Sequence, residues 1–215
     1  IATPKIDVAQ ALQDLNQKQQ QTAKKGKVKV FNTRQLYKYA AAIVVLFAST
    51  YYLTLSSESQ FKTEFAQTQA FKLPDSSAVT LNANSEISYT KKEWKERRDI
   101  SLKGEAYFNV QKGKKFTVRT AAGEVTVLGT QFNIRKREGF FEVKTYEGLV
   151  SVQYKDLFIK LPKGAVFRVV NGIIDRNNTF DIHKKSWLQK ESNFKSTPLR
   201  FVLEEIENQF GYKVR

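Results

Sequence analysis

The chain has 215 residues, enough for one folded domain of ordinary size with flanking segments. It has no cysteine, which excludes disulfides, thiolate catalysis and cysteine-ligated metal centres, and its single histidine, His183, has no second histidine with which to form a metal site. The formal net charge is +15, and we expect no cofactor and no metal. Methionine is absent and the first residue is Ile1, so we expect the chain to be a fragment or to be trimmed.

A short amphipathic helix is predicted near the N-terminus. Thr3-Pro4 is a helix-start signal, and it is followed by apolar residues at positions i, i+3, i+4 and i+7: Val8, Ala11, Leu12 and Leu15. A helix of about three turns is marginal alone in water. We therefore expect this stripe to dock, either into the groove of a partner protein or against a further helix of the same protein.

A basic block follows a polar linker at residues 17–26. Between Asp14 and Glu58 there is no acidic residue, and the basic residues in that gap are Lys18, Lys24, Lys25, Lys27, Lys29, Arg34 and Lys38. Such a block first suggests binding to nucleic acid. The residues that come after it favour a different interpretation.

Residues 36–55, LYKYAAAIVVLFASTYYLTL, predict a single transmembrane helix. Lys38 is their only charge, and twenty helical residues rise about 30 Å, the thickness of the hydrocarbon layer. Tyrosines near both ends suit the headgroup boundary. A buried helix would show a polar face, and a signal peptide would have a shorter leader.

The basic residues also predict the orientation, because lysine and arginine are retained on the cytoplasmic side. Residues 1–35 are expected in the cytoplasm, and the chain from residue 56 onward is expected to be exported. The topology determinants, which would also contact anionic lipid headgroups, are Lys24, Lys25, Lys27, Lys29, Arg34 and Lys38.

Residues 56–185 predict a mainly β domain. Short apolar–polar alternations such as Phe116/Val118 and Val125/Val127 recur between turn residues spaced mostly six to ten apart, too close for helical crossovers. An antiparallel β-sandwich or jelly-roll-like fold follows, with Asn171-Gly172 as a tight hairpin.

Residues 186–215 predict the start of a small, truncated α+β domain. Thr197-Pro198 repeats the helix-start signal, and Gly211 stands where a helix ends. One face of this helix is apolar, with Leu199, Val202, Leu203, Ile206 and Phe210. We expect the first four of these residues to form the core of the unit. Residues 212–215 read as the beginning of a further strand.

The exported region resembles the FecR family of bacterial transmembrane anti-sigma regulators. The motifs that carry the resemblance are LPDSSAVTLNANSEISY at 73–89, LKGEAYFNV at 102–110, VLGTQFNI at 127–134, VKTYEGLVSV at 143–152 and, after Trp187, FKSTPLRFVLEEIENQFGYKV at 194–214. The first 35 residues show no clear match to the family's cytoplasmic helical domain.

The resemblance implies a relay across the inner membrane. The exported domain would contact the signalling domain of a TonB-dependent outer-membrane transporter, for which Tyr212, Lys213 and Val214 are docking candidates. The cytoplasmic segment would hold an extracytoplasmic-function (ECF) sigma factor, for which the binding candidates are Val8, Ala11, Leu12 and Leu15. The fold alone leaves open a membrane-anchored sugar- or ligand-binding jelly roll.

No metabolic chemistry is expected, although the resemblance implies one reaction. Some members of the family cleave themselves at a Gly-Thr bond, which matches Gly129-Thr130 here. The Thr130 hydroxyl could attack the preceding carbonyl if the turn is strained, giving an ester that water opens. The alternative is that Gly129 supplies a positive-φ turn and Thr130 begins a strand.

Overall fold

The computed structural model describes residues 8–22, 33–55, 58–175, 180–184, 186–189, 191–192, 194 and 197–213, without the side chains at 21–22, 33–36, 52–55 and 186. It divides the chain into two compact units, Ile1–Thr50 and Tyr51–Arg215. Of the predicted topology determinants, Lys24, Lys25, Lys27 and Lys29 lie outside the described residues, as does the side chain of Arg34.

Two helices precede the β region: α1 (Val8–Thr22) and α2 (Thr33–Leu55). α1 contains the predicted apolar stripe, but it continues through residues 17–22, so the polar linker predicted to begin at residue 17 is wrong there. α2 contains the whole predicted span, with Lys38 exposed on it. Among the residues that the structure describes, no helix combines the length and the apolar character needed to cross a membrane. The crossing predicted for residues 36–55 is therefore not shown.

The remainder is mainly β, as predicted. The described strands are β1 (Glu58–Thr63), β2 (Gln69–Lys72), β3 (Ala78–Leu81), β4 (Ser85–Thr90), β5 (Arg98–Asn109), β6 (Phe116–Arg119), β7 (Glu124–Val127), β8 (Gln131–Arg137), β9 (Phe140–Glu147), β10 (Leu149–Tyr154), β11 (Leu157–Pro162), β12 (Val166–Val170) and β13 (Ile173–Asp175). Short 3₁₀ helices occupy Lys92–Lys95 and Ser186–Gln189, and α3 spans Leu199–Phe210.

These strands form one curled sheet that folds over at β5. The first half-sheet has the order β1-β4-β5-β6-β7-β10-β11, and the second has the order β2-β3-β5-β8-β9-β12-β13. β5 is twelve residues long, so its beginning pairs in the first half-sheet and its end in the second. The predicted sandwich is thus one folded sheet rather than two separate ones.

The prediction that every pairing is antiparallel is wrong at one place, because β5 and β6 run parallel from Arg98 and Phe116. β5 crosses into the second half-sheet before it ends. The chain must therefore return to the first half-sheet through residues 110–115, and it starts β6 beside the beginning of β5, in the same direction.

The fold in β5 occurs at Gly104, where φ is +95°. A Cβ atom here would lie 2.3 Å from the Ser85 Oγ and 2.7 Å from the Ser85 Cα. Only glycine permits both this backbone conformation and this approach of β4.

The core lies between the two half-sheets. Phe108 stacks on Phe132 with ring centroids 4.9 Å apart, and its edge faces Phe116 of the first half-sheet. Phe141 of β9 likewise meets Tyr154 of β10 at 6.2 Å. Burial of these aromatic residues is the main source of stability.

α3 lies on the outer face of the second half-sheet. It begins after Pro198 and ends at Gly211, whose φ is +73° and whose N–H donates to the Glu207 carbonyl oxygen, as predicted. Its buried residues are Phe201, Glu205 and Asn208.

The prediction of which α3 face is buried is wrong within the described residues. Leu199 and Phe210 are exposed, and Val202, Leu203 and Ile206 are only partly covered. The outer face of the sheet is polar, so it selects the polar residues of α3. Tyr212 and Lys213, predicted to begin a strand, pair with no described strand and are exposed, and Val214 lies outside the described residues.

Candidate functional site

The outer face of the second half-sheet carries a layer of polar and charged side chains. Side chains alternate along a strand, so Glu105 points outward beside Ala106, whose side chain enters the core. The same alternation holds on β8, β9 and β12, which follow β5 in the sheet. Five of the outward-facing residues on these strands are nevertheless buried: Glu105 on β5, Asn133 and Arg135 on β8, Glu142 on β9 and Arg168 on β12.

Glu142 is the centre of an ion-pair group. Arg168 Nε donates to its Oε2 at 2.6 Å, and Lys144 Nζ lies 2.8 Å from its Oε1. Burial alone would raise the pKa of this carboxyl, but Lys144, Arg135 and Arg168 outweigh it and lower the pKa to about 2. Glu142 is therefore ionised in the folded protein.

The pKa of Glu105 is shifted in the opposite direction. Asn82 Nδ2 donates to its Oε2 at 2.9 Å and Asn133 Nδ2 to its Oε1 at 2.8 Å. Burial is the largest influence and raises the pKa of Glu105, and the nearby carboxylate of Glu205 raises it further. Burial and Glu205 thus make ionisation of Glu105 less favourable than it is in water.

α3 is held to this layer by polar contacts. Asn82 Nδ2 also donates to Glu205 Oε1 at 3.1 Å, so one amide bridges the sheet, Glu105 and the helix. Near the helix end, Asn84 Nδ2 donates to Asn208 Oδ1 at 2.9 Å, and the N–H of Ala66 donates to the Asn208 carbonyl oxygen at 2.8 Å.

The apolar part of the contact between α3 and the sheet is smaller than the polar part. The ring of Phe201 lies 5.2 Å from that of Phe140, centroid to centroid, and Phe201 is 4% exposed. Trp187 closes the layer from the other side, where its Nε1 donates to Asn133 Oδ1 at 3.3 Å. We call the contact between α3 and the second half-sheet the α3 seam.

Two openings adjoin the α3 seam. A polar cavity of about 30 Å³ lies among Glu105, Glu142 and Glu205, large enough for a water molecule. A groove of about 360 Å³ runs between β3 and the end of α3, lined by Trp187, Leu188, Phe210, Asn82, Gln209, Thr68 and Thr80 together with Ala66 and Ala83. Among the described residues no group of acidic or histidine side chains could hold a metal ion.

Gly129 and Thr130 lie at the other predicted site. Gly129 has φ +147°, and a Cβ atom there would come 2.7 Å from the Lys112 Cα. Thr130 is buried, its Oγ1 has no hydrogen-bond partner, and its carbonyl oxygen accepts from the Val110 N–H at 2.9 Å. Thr130 lies directly before β8, so the structure contains the positive-φ turn and also an unpartnered hydroxyl.

The remaining predicted residues lie on the surface. Val8, Leu12 and Leu15 of α1 are exposed, at 65%, 56% and 62%, and Ala11 beside them is exposed too. His183 is also exposed, in a turn where its N–H donates to Asp181 Oδ1 at 2.9 Å.

Reasoning from the sequence missed the buried polar layer. Its signal is present, because Glu105, Asn133 and Glu142 each interrupt a strand at an outward position. An outward charge normally predicts a solvent-exposed face, however, and nothing local in the sequence says that α3 covers it.

Comparison with known proteins relates this chain to one family and to two similar crystal structures. The FecR protein family model matches residues 59–151. Two crystal structures of a candidate anti-sigma factor from Parabacteroides distasonis ATCC 8503 are similar, each with 28% sequence identity. One covers 72% of this chain and 76% of its own, with a TM-score of 0.68; the other covers 70% and 74%, with a TM-score of 0.66. No curated protein matches this chain.

Proposed function

Because residues 59–151 match the FecR protein family model, we propose that this chain is a FecR-family anti-sigma factor that relays a signal across the inner membrane. The observation that carries this proposal is the match of the fold, over 72% of the chain, to a candidate anti-sigma factor. The buried polar layer packs α3 against the second half-sheet. The proposed function therefore depends on binding surfaces rather than on a set of catalytic groups.

The sigma factor binds the exposed stripe of α1 in this proposal. Val8, Leu12 and Leu15 lie on one side of a 15-residue helix, and an isolated helix of this length is only marginally stable in water. An amphipathic helix of this kind is recognised by an apolar groove. The partner would be an ECF sigma factor in the cytoplasm.

The test is co-purification of the full chain with the ECF sigma factor encoded beside its gene. Leu12→Asp should lower the affinity at least tenfold, because it places a charge in an apolar groove. Gln17→Asp adds the same charge on the opposite face of α1 and should leave binding unchanged. Equal binding by both variants would contradict the assignment of the stripe.

On the exported side, the partner would be the signalling domain of a TonB-dependent transporter. Tyr212 and Lys213 are exposed at the end of α3, next to the groove that Phe210 lines. We expect the full chain, reconstituted through α2 as a single-pass inner-membrane anchor, to capture such a signalling domain. Tyr212→Ala should weaken capture, and capture unchanged by this variant would move the docking site elsewhere.

Self-cleavage at Gly129-Thr130 is a second candidate activity, favoured by the unpartnered Thr130 Oγ1 and the positive φ of Gly129. The hydroxyl oxygen would attack the Gly129 carbonyl carbon, the C–N bond would break, and the proton would pass to the new amine before water hydrolyses the ester. Intact mass of the purified chain tests this. Two fragments that disappear in Thr130→Ala support cleavage, and a full-length mass in both forms ends the idea.

The alternative of a sugar-binding protein is favoured only by the groove beside the α3 seam. The aromatic side chains of Trp187 and Phe210 line this groove together with the amides of Asn82 and Gln209. Quenching of tryptophan fluorescence by a panel of oligosaccharides would support it, and no response at millimolar concentrations would count against it.

A further inference from the structure

One end of the first half-sheet gathers lysines from three separate segments. β5 and β6 start side by side, so the turn before Arg98 lies next to the loop before Phe116, and Lys114 Nζ donates to the Lys95 carbonyl oxygen at 3.1 Å. The end of β11 lies at the same edge, because Pro162 pairs with Leu149. The exposed lysines of this region, here called the lysine end, are Lys91, Lys92, Lys95, Lys112, Lys114, Lys115 and Lys163.

Acidic residues do not neutralise the lysine end. Glu93 is paired with Arg97 at 2.8 Å, and Asp99 lies 3.3 Å from Arg119. Glu58, Glu96 and Glu147 are the exposed carboxylates that remain at this end of the described structure. The lysines outnumber them by seven to three.

Two leucines project among these lysines. Leu128 follows β7 and is 64% exposed, and Leu149 begins β10 and is 48% exposed. Both are at the lysine end, since Val127 pairs with Phe116 and the start of β10 runs beside β7. Apolar side chains surrounded by lysines are typical of a surface that enters the headgroup layer of a bilayer.

A depression in the lysine end could accept an anionic headgroup. It has a volume of about 250 Å³, and its basic lining residues are Lys114 and Lys115 together with Arg97 and Arg119. The two arginines are paired with Glu93 and Asp99, so the headgroup would meet the two lysines. Glu96, Asp99 and Thr117 complete the lining, with both carboxylates beside arginines.

The chain itself places the lysine end near the point where α2 stops. α2 ends at Leu55 and β1 begins at Glu58, three peptide steps or at most about 11 Å later. Glu58 pairs with Thr90, the residue directly before Lys91. A domain tethered this closely to a membrane anchor would have the lysine end beside the bilayer.

We propose that the lysine end binds anionic phospholipid headgroups, with Leu128 and Leu149 entering the interface. This proposal rests on the proposed membrane anchor. Each lysine near an anionic surface changes the partition roughly fivefold, an effect that salt screens. The occupant is a bilayer rather than an acidic protein because the lysines surround apolar side chains at the tethered end of the domain.

The test uses the full chain, which has no cysteine of its own. Leu128→Cys carries an environment-sensitive fluorophore, and Ala121→Cys, in an exposed turn at the opposite end of β6, is the matched control. Each is mixed with phosphatidylcholine vesicles, with or without 30% phosphatidylglycerol (a composition chosen for the experiment, roughly as anionic as a bacterial membrane). Flotation reports binding to the vesicles, and the emission wavelength reports entry into the interface.

We expect flotation with both kinds of vesicle. The emission of the fluorophore at position 128 should shift to the blue only with phosphatidylglycerol. High salt should abolish this shift, and so should a variant with Lys91, Lys92, Lys114 and Lys115 changed to Gln. Flotation with both vesicles but no shift at 128 overturns the lysine end and leaves the anchor intact. Flotation only with phosphatidylglycerol, with the shift present, overturns the anchor and supports the lysine end. No flotation at all overturns both.

Discussion

Two buried glutamates on the outer face of the second half-sheet have pKa values shifted in opposite directions. Glu142 is surrounded by Lys144, Arg135 and Arg168, which lower its pKa to about 2 despite its burial. Burial and the charge of Glu205 raise the pKa of Glu105. The same residue type, on outward positions on either side of Arg135, therefore has its pKa lowered in one place and raised in the other.

We predict that Glu142→Gln destabilises the fold by about 3 kcal/mol at pH 7, because it leaves buried cations unpaired. The folded pKa lies below the unfolded value of 4.5, so this contribution is present above pH 4.5 and is lost as the pH falls towards 2. Urea unfolding at pH 7, 4 and 2.5 measures the difference from the wild-type chain, which should shrink on acidification. Glu138→Gln, an exposed change on the same hairpin, should stay within about 0.5 kcal/mol.

Glu105→Gln provides an internal comparison. Its folded pKa is raised, so the wild-type chain loses stability as the pH rises from 4.5 through the folded pKa of Glu105. The variant lacks that loss, and its stability relative to wild type should increase with pH. A stability difference that is constant with pH for both variants would contradict the directions of the two pKa shifts.

Gly104 carries the bend of β5, and Gly104→Ala should cost more than about 2 kcal/mol. The substitution adds backbone strain at φ +95° and a contact of 2.3 Å with Ser85 Oγ. Gly172→Ala is the matched control, since its φ of +81° is similar but no atom lies within 4 Å of the added Cβ. Only strain of about 1–2 kcal/mol is expected there. Equal unfolding free energies for the two variants would mean that close approach of β4 does not require Gly104.

At the scale of elements, α3 is attached by an interface whose centre is polar. Asn82, Glu205 and Asn208 make its hydrogen bonds, and Phe201 makes its buried aromatic contact. Polar contacts contribute only about 1 kcal/mol each in net terms. The attachment of α3 therefore depends heavily on one ring.

Phe201→Ala should release α3 while leaving the folded sheet intact. The lost burial is expected to cost about 3–5 kcal/mol, enough to make the amides of α3 exchange with solvent far faster than those of β8. Hydrogen exchange read by mass spectrometry measures both elements. Leu199→Ala, on the 68% exposed side of the same helix, should change neither. Faster exchange in β8 as well would show that α3 and the sheet unfold together.

At the scale of the whole molecule, the charge is distributed so that the stretch between Asp14 and Glu58 carries only positive charges. Lysine-rich flanks are retained in the cytoplasm, and the proposed relay needs the two ends of the chain in different compartments. The +15 net charge matters through this asymmetry more than through its size.

Reporter fusions before Ile1 and after Arg215 should report opposite sides of the membrane. Changing Lys24, Lys25, Lys27 and Lys29 to Gln removes most of the positive charge that is expected to stay in the cytoplasm. The variant should insert in a mixture of both orientations. The same number of Lys→Gln changes in the exported domain should have no effect on orientation. Both reporters on one side in the unchanged chain would end the relay proposal.

Local patterns in the sequence determined the mainly β region, the presence of α1, the bounds of α3, and the terminating role of Gly211. Period-two and period-3.6 patterns are properties of neighbouring residues, so they can be recognised without the fold. The FecR resemblance was also carried by short motifs in order, and the match over residues 59–151 confirms it.

Only the tertiary structure decided that β5 is shared by both halves of the sheet, that β6 runs parallel to it, and that α3 buries its polar side. Asn82 meets Glu205 across 123 positions of the chain, and no local pattern encodes such a contact. Outward charges on β5, β8 and β9 look like a solvated face until a distant helix covers them. Burial depends on which elements meet in space, and this depends on the whole folded chain.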